Sequence, residues 1–245
     1  MVDALFASPR LAEVYDPLDP DRRDLDAYAA MVDEFGASRV VDLGCGTGTL
    51  ACLLAGRGIS AVGVDPAAAS LAVARRKPHA GKVRWVQGDA SATAGLAADL
   101  VTMTGNVAQV FVTDDAWHTT LRAVRTALRP GGRLVFETRD PARRAWEQWT
   151  RTTTWKRAHI PGVGEVETWV DLMEVALPLV SFRTSFVFHA DGAMLTSNST
   201  IRFRDRAEVA ASLTASGFVI DAVRDAPDRP GREMVFVATA ASPPP

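Results

Sequence analysis

The sequence predicts an α/β fold, a doubly wound parallel sheet that is followed by an antiparallel β insertion. Through residue 138, short apolar runs alternate with segments of helical spacing, which is the pattern of repeated βαβ units. After residue 140 this alternation ends, and runs of alternating polar and apolar residues indicate antiparallel strands. The chain has 245 residues, of which 47% are hydrophobic, so it can bury the core that such a fold requires.

The first part of the chain contains five predicted strands with helices between them. A helix over residues 24–35 precedes them and ends at Gly36, a residue typical of a helix C-terminus. The strands are predicted at residues 38–43, 60–65, 82–89, 97–105 and 132–140. The helices between them are predicted at residues 49–58, 66–77 and 114–132.

The second part of the chain combines the insertion with a return to the core. The turn signals ALP and ADG separate the alternating runs of the insertion. Helical spacing returns at Asp205, which together with Glu208 has the spacing of a capping box. Strands are predicted at residues 218–225 and 232–240, and the terminal ASPPP is expected to be frayed. The predicted parts are a helical cap (1–36), a ligand-binding core (37–140), the antiparallel insertion (141–204), and a C-terminal helix with two strands that complete the core sheet (205–240).

Composition narrows the classes of function. The net charge of -2 gives no reason to expect nucleic acid or an anionic membrane as a partner. Cys45 and Cys52 have neither metal-site nor disulfide spacing, so we expect no metal and a reducing compartment. We see no N-terminal leader pattern and no apolar run of about 18 residues, which favours a cytoplasmic protein.

Three glycines at every second position follow the first strand, in the stretch DLGCGTG at residues 42–48. Glycines at the end of a strand allow positive φ angles and let the backbone approach a ligand closely. A dinucleotide fingerprint, G-x-G-x-x-G, requires a third glycine where the chain has Thr49 or, in the second register, Ala51. Alanine is an accepted variant there, so an NAD site remains an alternative.

The same stretch, Asp42-x-Gly44-x-Gly46-x-Gly48, resembles motif I of class I S-adenosylmethionine-dependent methyltransferases. Asp65 in VGVD, Asp89 in VQGDA and the stretch LRPGGRLVFE resemble later motifs of that family, in the same order. The resemblance runs from about Tyr15 to Glu137. It implies a Rossmann-like, seven-stranded sheet whose last strand is antiparallel. It also implies S-adenosylmethionine as cofactor and S-adenosylhomocysteine as product.

The resemblance assigns roles to individual residues. Asp65 is expected at the ribose hydroxyls, Asp89 and the Ala90 N–H at adenine, and Tyr15 near the methionine carboxylate, with Arg23 as a weaker candidate. Asp42 is expected to order the glycine loop or to meet the ligand ammonium. Simpler alternatives remain: Asp65 as a helix cap, Asp89 in a turn, and Tyr15 as a packed aromatic. The complete expected cofactor set is Tyr15, Asp42, Gly44, Cys45, Gly46, Gly48, Asp65, Pro66, Asp89, Ala90, Thr104 and Asn106.

Catalytic residues are poorly marked, because methyl transfer from a sulfonium mainly needs positioning and exclusion of water. The candidates are Asn106, Asp140 and His159. Further pocket candidates are Gln109, Glu137 and Arg139, the last of which is alternatively expected to pair with Asp140.

The insertion resembles the flap that covers the substrate in small-molecule methyltransferases, including amino-sugar N-methyltransferases and their relatives. Its tryptophans are expected either to form an apolar wall of the substrate site or to pack the flap onto the sheet. They are Trp146, Trp149, Trp155 and Trp169. The basic stretch 139–157 is expected either to meet an anionic acceptor or to form a solvated helix face.

The resulting prediction is a methyltransferase, monomeric or homodimeric, that acts on an oxygen or nitrogen atom of a small molecule. An RNA or DNA methyltransferase is an alternative, disfavoured because TGNV stands where an N/D-P-P-Y/F motif would follow the fourth strand. The others are an NAD-dependent oxidoreductase and a cofactor-binding module without catalysis.

Overall fold

Eleven strands in two sheets make up the β structure of the computed structural model, which describes residues 2–241. The strands are β1 Arg39–Leu43, β2 Ser60–Asp65, β3 Arg84–Gln87, β4 Ala98–Met103, β5 Leu128–Arg139, β6 Lys156–Ile160, β7 Gly164–Ala176, β8 Leu179–Phe188, β9 Ala193–Arg202, β10 Phe218–Asp225 and β11 Glu233–Ala240. The α-helices are α1 Ala4–Ala7, α2 Pro9–Leu18, α3 Asp24–Glu34, α4 Thr49–Gly56, α5 Ala68–Ala74, α6 Asp114–Ala127, α7 Arg151–Thr154 and α8 Arg206–Ala215.

The larger sheet has seven strands in the order β10-β11-β5-β4-β1-β2-β3. Strands β1 to β5 are parallel, whereas β11 is antiparallel to β5 and to β10. The prediction of a doubly wound, Rossmann-like sheet with an antiparallel last strand is therefore confirmed. Strand order reverses between β1 and β4, so a ligand crevice is expected outside the carboxyl ends of these two strands.

Helices cover both faces of this sheet. On one face, α6 and α8 pack against apolar side chains of β4, β5 and β11. There Trp117 meets Phe136 edge to face at 5.5 Å, and Phe136 stacks on Phe236 at 5.4 Å. On the other face, α3 and α4 bury residues such as Leu25 and Leu54 against the sheet. The predicted capping box at the start of α8 is present.

The second sheet is the insertion, four antiparallel strands in the order β6-β7-β8-β9. Apolar residues of α2, including Leu11 and Val14, pack on Phe186 and Phe188 of this sheet. The N-terminal helices thus contact different layers, since α3 covers the core sheet and α2 covers the insertion. The division of the chain into four parts stays a prediction.

Some element boundaries differ from the sequence-based ones. The edge strand β6 was not predicted, because its sequence KRAHI is short and charged; on an edge, charged side chains remain in solvent. The stretch 139–157 does not form the expected solvated helix face. It contains two 3-10 turns and the short α7, interrupted by Arg144 at φ 47°.

The tail that was expected to be frayed lies, after Ala241, outside the described residues. Within residues 2–241 no helix is long and apolar enough to cross a membrane.

Candidate active site

The glycine loop joins the end of β1 to the start of α4. Gly44, Gly46 and Gly48 have φ angles of 74°, 53° and 76°, a region that residues other than glycine rarely adopt. A Cβ at Gly48 would lie 2.4 Å from the Trp85 ring, and one at Gly44 would lie 2.6 Å from Val107. A Cβ at Gly46 would meet nothing within 4 Å, so this glycine borders open space. The two outer glycines are required for packing, and the middle one is free to face a ligand.

Asp65, at the end of β2, is hydrogen-bonded to this loop. Its Oδ2 accepts a hydrogen bond from the Gly46 N–H at 2.8 Å, and its Oδ1 accepts one from the Ala67 N–H at 2.8 Å. Only 7% of the residue is exposed, and burial raises the pKa of the carboxyl. Each carboxylate oxygen keeps a lone pair for a further donor, such as a hydroxyl. Asp65 therefore both orders the chain ahead of α5 and presents acceptors beside the glycine loop.

Asp42 lies under the loop and is almost completely buried. Its Oδ1 accepts a hydrogen bond from the Thr102 hydroxyl at 3.1 Å. Burial, together with the negative charge of Asp65, raises its pKa to about 7, although the Thr102 bond acts in the opposite direction. Burial also raises the pKa of the Cys45 thiol, as do the two nearby carboxylates. Cys45 is therefore a neutral filler of the loop and no nucleophile.

The C-terminal turn of α2 also reaches the glycine loop. Asp16 accepts a hydrogen bond from the Thr47 hydroxyl at 2.8 Å and lies 2.7 Å from Lys77 Nζ. The neighbouring Tyr15 is half-buried, packs on Phe6 with ring centroids 5.7 Å apart, and has a pKa raised by burial. Sequence reasoning singled out Tyr15 and missed Asp16, although the two are adjacent.

Arg23, the weaker candidate beside Tyr15, lies on the surface. Its side chain is 83% exposed and pairs with Asp21 at 2.5 Å. Its role at the methionine carboxylate stays a prediction.

Asp89, at the end of the third strand region, forms a turn. Its Oδ1 accepts hydrogen bonds from the Ser91 N–H at 2.9 Å and the Ser91 hydroxyl at 2.6 Å, and these bonds lower its pKa. Ala90, the next residue, is buried at the start of a 3-10 turn. The observed bonds of Asp89 are therefore those of a turn residue, and its contact with adenine stays a prediction.

The loop after β4 is built on a buried polar cluster. Asn106, with a left-handed φ of 61°, donates from its N–H to Glu137 Oε1 at 2.9 Å and from Nδ2 to Glu233 Oε1 at 3.0 Å. Asn106 Oδ1 and Glu137 Oε2 are buried without a hydrogen-bond partner in the described residues. A cavity of about 30 Å³ lined by Glu137 and Tyr28 adjoins them, enough for a water molecule.

Burial raises the pKa of Glu137 to about 8, and the negative charge of Glu233 adds to the effect. The hydrogen bond from the Asn106 backbone acts in the opposite direction. Glu137 therefore carries a proton at neutral pH.

Two arginines complete this cluster. Arg139 donates from Nη1 to Gln109 Oε1 at 2.8 Å, and its Nε lies 3.8 Å from Glu233. Arg229 donates to Glu233 Oε1 at 2.8 Å. Neither Glu233 nor Arg229 was singled out from the sequence, because they lie on the C-terminal hairpin outside every motif.

Asp140 does not pair with Arg139, as one sequence-based alternative expected. Its Oδ1 accepts a hydrogen bond from the Ala142 N–H at 2.9 Å, and its Oδ2 lies 3.9 Å from Arg143. The chain turns after β5, which directs the two neighbouring side chains to different partners.

His159 lies on the exposed edge strand β6, where it contacts Glu165 at 3.0 Å, and not beside Asn106. The tryptophans of the insertion differ in their surroundings, and their place in a substrate site stays a prediction. Trp146 packs on Phe203 with ring centroids 4.6 Å apart. Trp169 is buried, Trp155 is 47% exposed, and Trp149 lines a cleft beside Arg139.

Comparison with known families finds one match, which lies within the core. Residues 40–132 match the model of the methyltransferase domain family, and this range contains the glycine loop, Asp65 and Asp89. This match agrees with the resemblance that the motifs indicated, over the part of the core that carries them. A curated relative, the cypemycin N-terminal methyltransferase of Streptomyces sp, is 35% identical over 104 residues, which are 42% of each chain. The chain thus spans about two fifths of the length of that relative.

Solved structures share the fold of this chain over both the core and the insertion. The CcbJ methyltransferase of Streptomyces caelestis has a TM-score of 0.78 at 20% identity, covering 97% of this chain and 98% of that one. CalS10 of Micromonospora echinaspora, an amino pentose methyltransferase solved with S-adenosylmethionine bound, has a TM-score of 0.72 at 24% identity, covering 91% and 93%. At these identities the likeness shows a shared fold.

Proposed function

We propose that this protein transfers a methyl group from S-adenosylmethionine to a nitrogen or oxygen atom of a small molecule. The observation that carries the proposal is the bond between Asp65 and the Gly46 N–H. It places a buried carboxylate with free lone pairs at the one glycine of the loop that borders open space. This is the arrangement that a ligand with paired ribose hydroxyls requires.

The charge of the site supports the same cofactor. Asp42 and Asp65 are both buried; burial raises the pKa of Asp42, and repulsion by the Asp65 carboxylate adds to the effect. A ligand with cationic groups relieves that repulsion. S-adenosylmethionine supplies a methyl group activated by a positively charged sulfur, and it also carries an ammonium. Asp42 would face the ammonium and Asp65 the ribose, with Tyr15 at the methionine carboxylate and Asp89 with Ala90 at adenine.

The acceptor is proposed to lie beside the loop after β4 and the end of β5, where Asn106 and Glu137 meet. These residues orient the acceptor and exclude water, which is what this chemistry asks of a protein. Glu137 holds a proton at neutral pH, and its Oε2 has no partner in the described residues. The names of the cypemycin and amino pentose methyltransferases support a small acceptor. The cytoplasmic location stays a prediction.

Calorimetric titration with S-adenosylmethionine tests the proposal. The wild type is expected to bind it saturably and not to bind NAD. Asp65→Ala removes two charge-assisted hydrogen bonds and the ribose acceptors, so the affinity is expected to fall about 100-fold. Asp33→Ala, which removes an exposed carboxylate on α3, is the matched control and is expected to bind like the wild type.

Each other outcome has a defined meaning. Binding of NAD in place of S-adenosylmethionine would replace the proposal by hydride transfer. Equal binding by wild type and Asp65→Ala would remove the observation on which the proposal depends. Circular dichroism of both variants separates loss of binding from loss of the fold.

A further inference from the structure

A cleft of about 770 Å³ lies beside the end of β5, at the edge of the core sheet. Its walls come from the end of β5, the segment that leads into the insertion, and the turn between β10 and β11. Four guanidinium groups line it, those of Arg139, Arg143, Arg229 and Arg232. The volume is that of a site for a small organic ligand.

The inner pair of arginines, Arg139 and Arg229, is largely neutralised by carboxylates. Glu233 Oε1 lies 2.8 Å from Arg229 and 3.8 Å from Arg139. Asp228 lies 3.4 Å from Arg229. Two carboxylates therefore balance these two guanidinium groups. The pair is held in place by the cluster that supports the loop after β4.

The charges of the outer pair, Arg143 and Arg232, are not fully balanced by carboxylates. Arg143 has one carboxylate, Asp140, at the loose distance of 3.9 Å, and its side chain is 60% exposed. Arg232 is exposed and has no carboxylate within 4.0 Å among residues 2–241. The cleft thus has one positive charge in excess of its paired carboxylates, and that charge is at its outer end.

The cleft also has an apolar surface. Trp149 lines the cleft, and its ring is held from behind by Phe182 at 4.9 Å, edge to face. The Arg139 guanidinium lies 5.6 Å from the same ring. A planar apolar body fits against such a surface, while guanidinium forks match the two oxygens of an oxyanion.

We propose that this cleft binds the methyl acceptor, and that the acceptor carries a single carboxylate, which Arg232 and Arg143 hold at the outer end. The apolar part of the acceptor lies along Trp149, and its reacting atom lies inward, toward Asn106. A phosphate offers the same oxyanion chemistry, but the single excess charge matches a monoanion. The inference depends on the proposed methyl transfer only for the role of the ligand, since binding to the cleft is measured independently.

The test uses the full chain saturated with S-adenosylhomocysteine and three probes titrated by tryptophan fluorescence. The probes are 1-naphthoate, the neutral 1-naphthamide and 1-naphthyl phosphate. We expect 1-naphthoate to bind saturably, at least tenfold more tightly than 1-naphthamide, and to weaken with added salt. Binding of 1-naphthamide as tight as that of 1-naphthoate would overturn the proposal. Tenfold tighter binding of the phosphate would overturn the choice of a carboxylate.

Variants locate the binding site. Arg232→Ala and Arg143→Ala are each expected to weaken 1-naphthoate at least fivefold and to leave 1-naphthamide unchanged. Arg206→Ala removes an exposed arginine at the start of α8, outside the cleft, and is expected to bind as the wild type does. Unchanged 1-naphthoate binding in both cleft variants would overturn the proposal. If S-adenosylmethionine binds but 1-naphthoate does not, the cleft proposal fails alone; if the reverse holds, the methyltransferase proposal fails.

Discussion

The Asp16 carboxylate accepts a hydrogen bond from the Thr47 hydroxyl at 2.8 Å. The bond joins the last turn of α2 to the glycine loop, across 31 positions of sequence. Lys77 Nζ, 2.7 Å from Asp16, neutralises the carboxylate and donates to Thr49 at 2.5 Å. The helix that carries Tyr15 is therefore anchored to the loop that is proposed to hold the cofactor, so helix and loop are expected to be ordered together.

Asp16→Asn is expected to weaken S-adenosylmethionine binding about tenfold, because a charge-assisted hydrogen bond and its ion pair are lost and the loop becomes less ordered. Calorimetry measures the affinity. Asp19→Asn is the matched control, since Asp19 lies at the end of the same helix but is 65% exposed and pairs with Lys156. Equal affinities of the two variants would show that the anchor has no effect on the cofactor site.

Two alanine substitutions in the glycine loop are expected to affect different properties, stability for Gly48 and cofactor binding for Gly46. Gly48→Ala would place a Cβ 2.4 Å from Trp85, in addition to the strain of a positive φ, and is expected to destabilise the fold by about 3 kcal/mol. Gly46→Ala meets no atom and is expected to cost about 1 kcal/mol. It adds a methyl group on the open side, so it is expected to abolish S-adenosylmethionine binding. Urea unfolding and calorimetry measure the two effects, and similar losses of stability would contradict the packing role of Gly48.

Glu137 is expected to make the fold less stable as pH rises. Its pKa is about 8 in the folded state, above the ordinary glutamate value of 4.5, so the folded state keeps a proton that the unfolded state releases between these values. This contribution to stability is complete below pH 4.5 and declines up to about pH 8.

Glu137→Gln removes this titration. From pH 5 to pH 8 the wild type is expected to lose ~3 kcal/mol more stability than the variant does. Thermal unfolding of both proteins over this range measures the difference. Glu147→Gln, on an exposed side chain, is the control and is expected to follow the wild type. Parallel pH curves for wild type and Glu137→Gln would contradict the raised pKa.

Binding of S-adenosylmethionine is expected to strengthen as pH rises from about 5.5 to about 7. The pKa of Asp42 is about 7, and a cationic ligand beside it favours the ionised carboxylate, so binding releases a proton. The affinity is expected to increase about fivefold over this interval in the wild type and to stay nearly constant in Asp42→Asn. Calorimetry in two buffers of different ionisation enthalpy counts the protons. Proton uptake by the wild type would reverse the predicted sign.

Local patterns in the sequence were sufficient to predict most helices and strands of the core. Strand β2 and strand β10 have the predicted bounds, and the capping box of α8 is formed as its spacing indicated. These features depend on contacts between near neighbours, such as alternation of apolar residues or a carboxylate three positions from a backbone N–H. The edge strand β6 was missed because an edge strand is recognised by its partner, and its own sequence has no apolar face.

The residues of the candidate site likewise include some that the sequence predicted and some that it did not. Asp65 and the glycine loop belong to an ordered series of motifs, so their place at the ends of β1 and β2 was predictable from the chain alone. The partners of Asn106 were not, because Glu233 is 127 positions away and lies in no motif. Arg143 and Arg232 likewise come to one cleft only because β5 and β11 pair in the sheet.

The sequence by itself determined the order of strands and helices, the glycine loop and the resemblance to a methyltransferase, because each is a local pattern. The tertiary structure decided which polar and charged groups meet: Asp16 with Thr47, Glu137 with Asn106, and the arginines of the cleft with one another. Side chains distant in sequence approach only after the sheet has formed. Burial and Coulomb interactions then act on groups whose proximity no local pattern encodes.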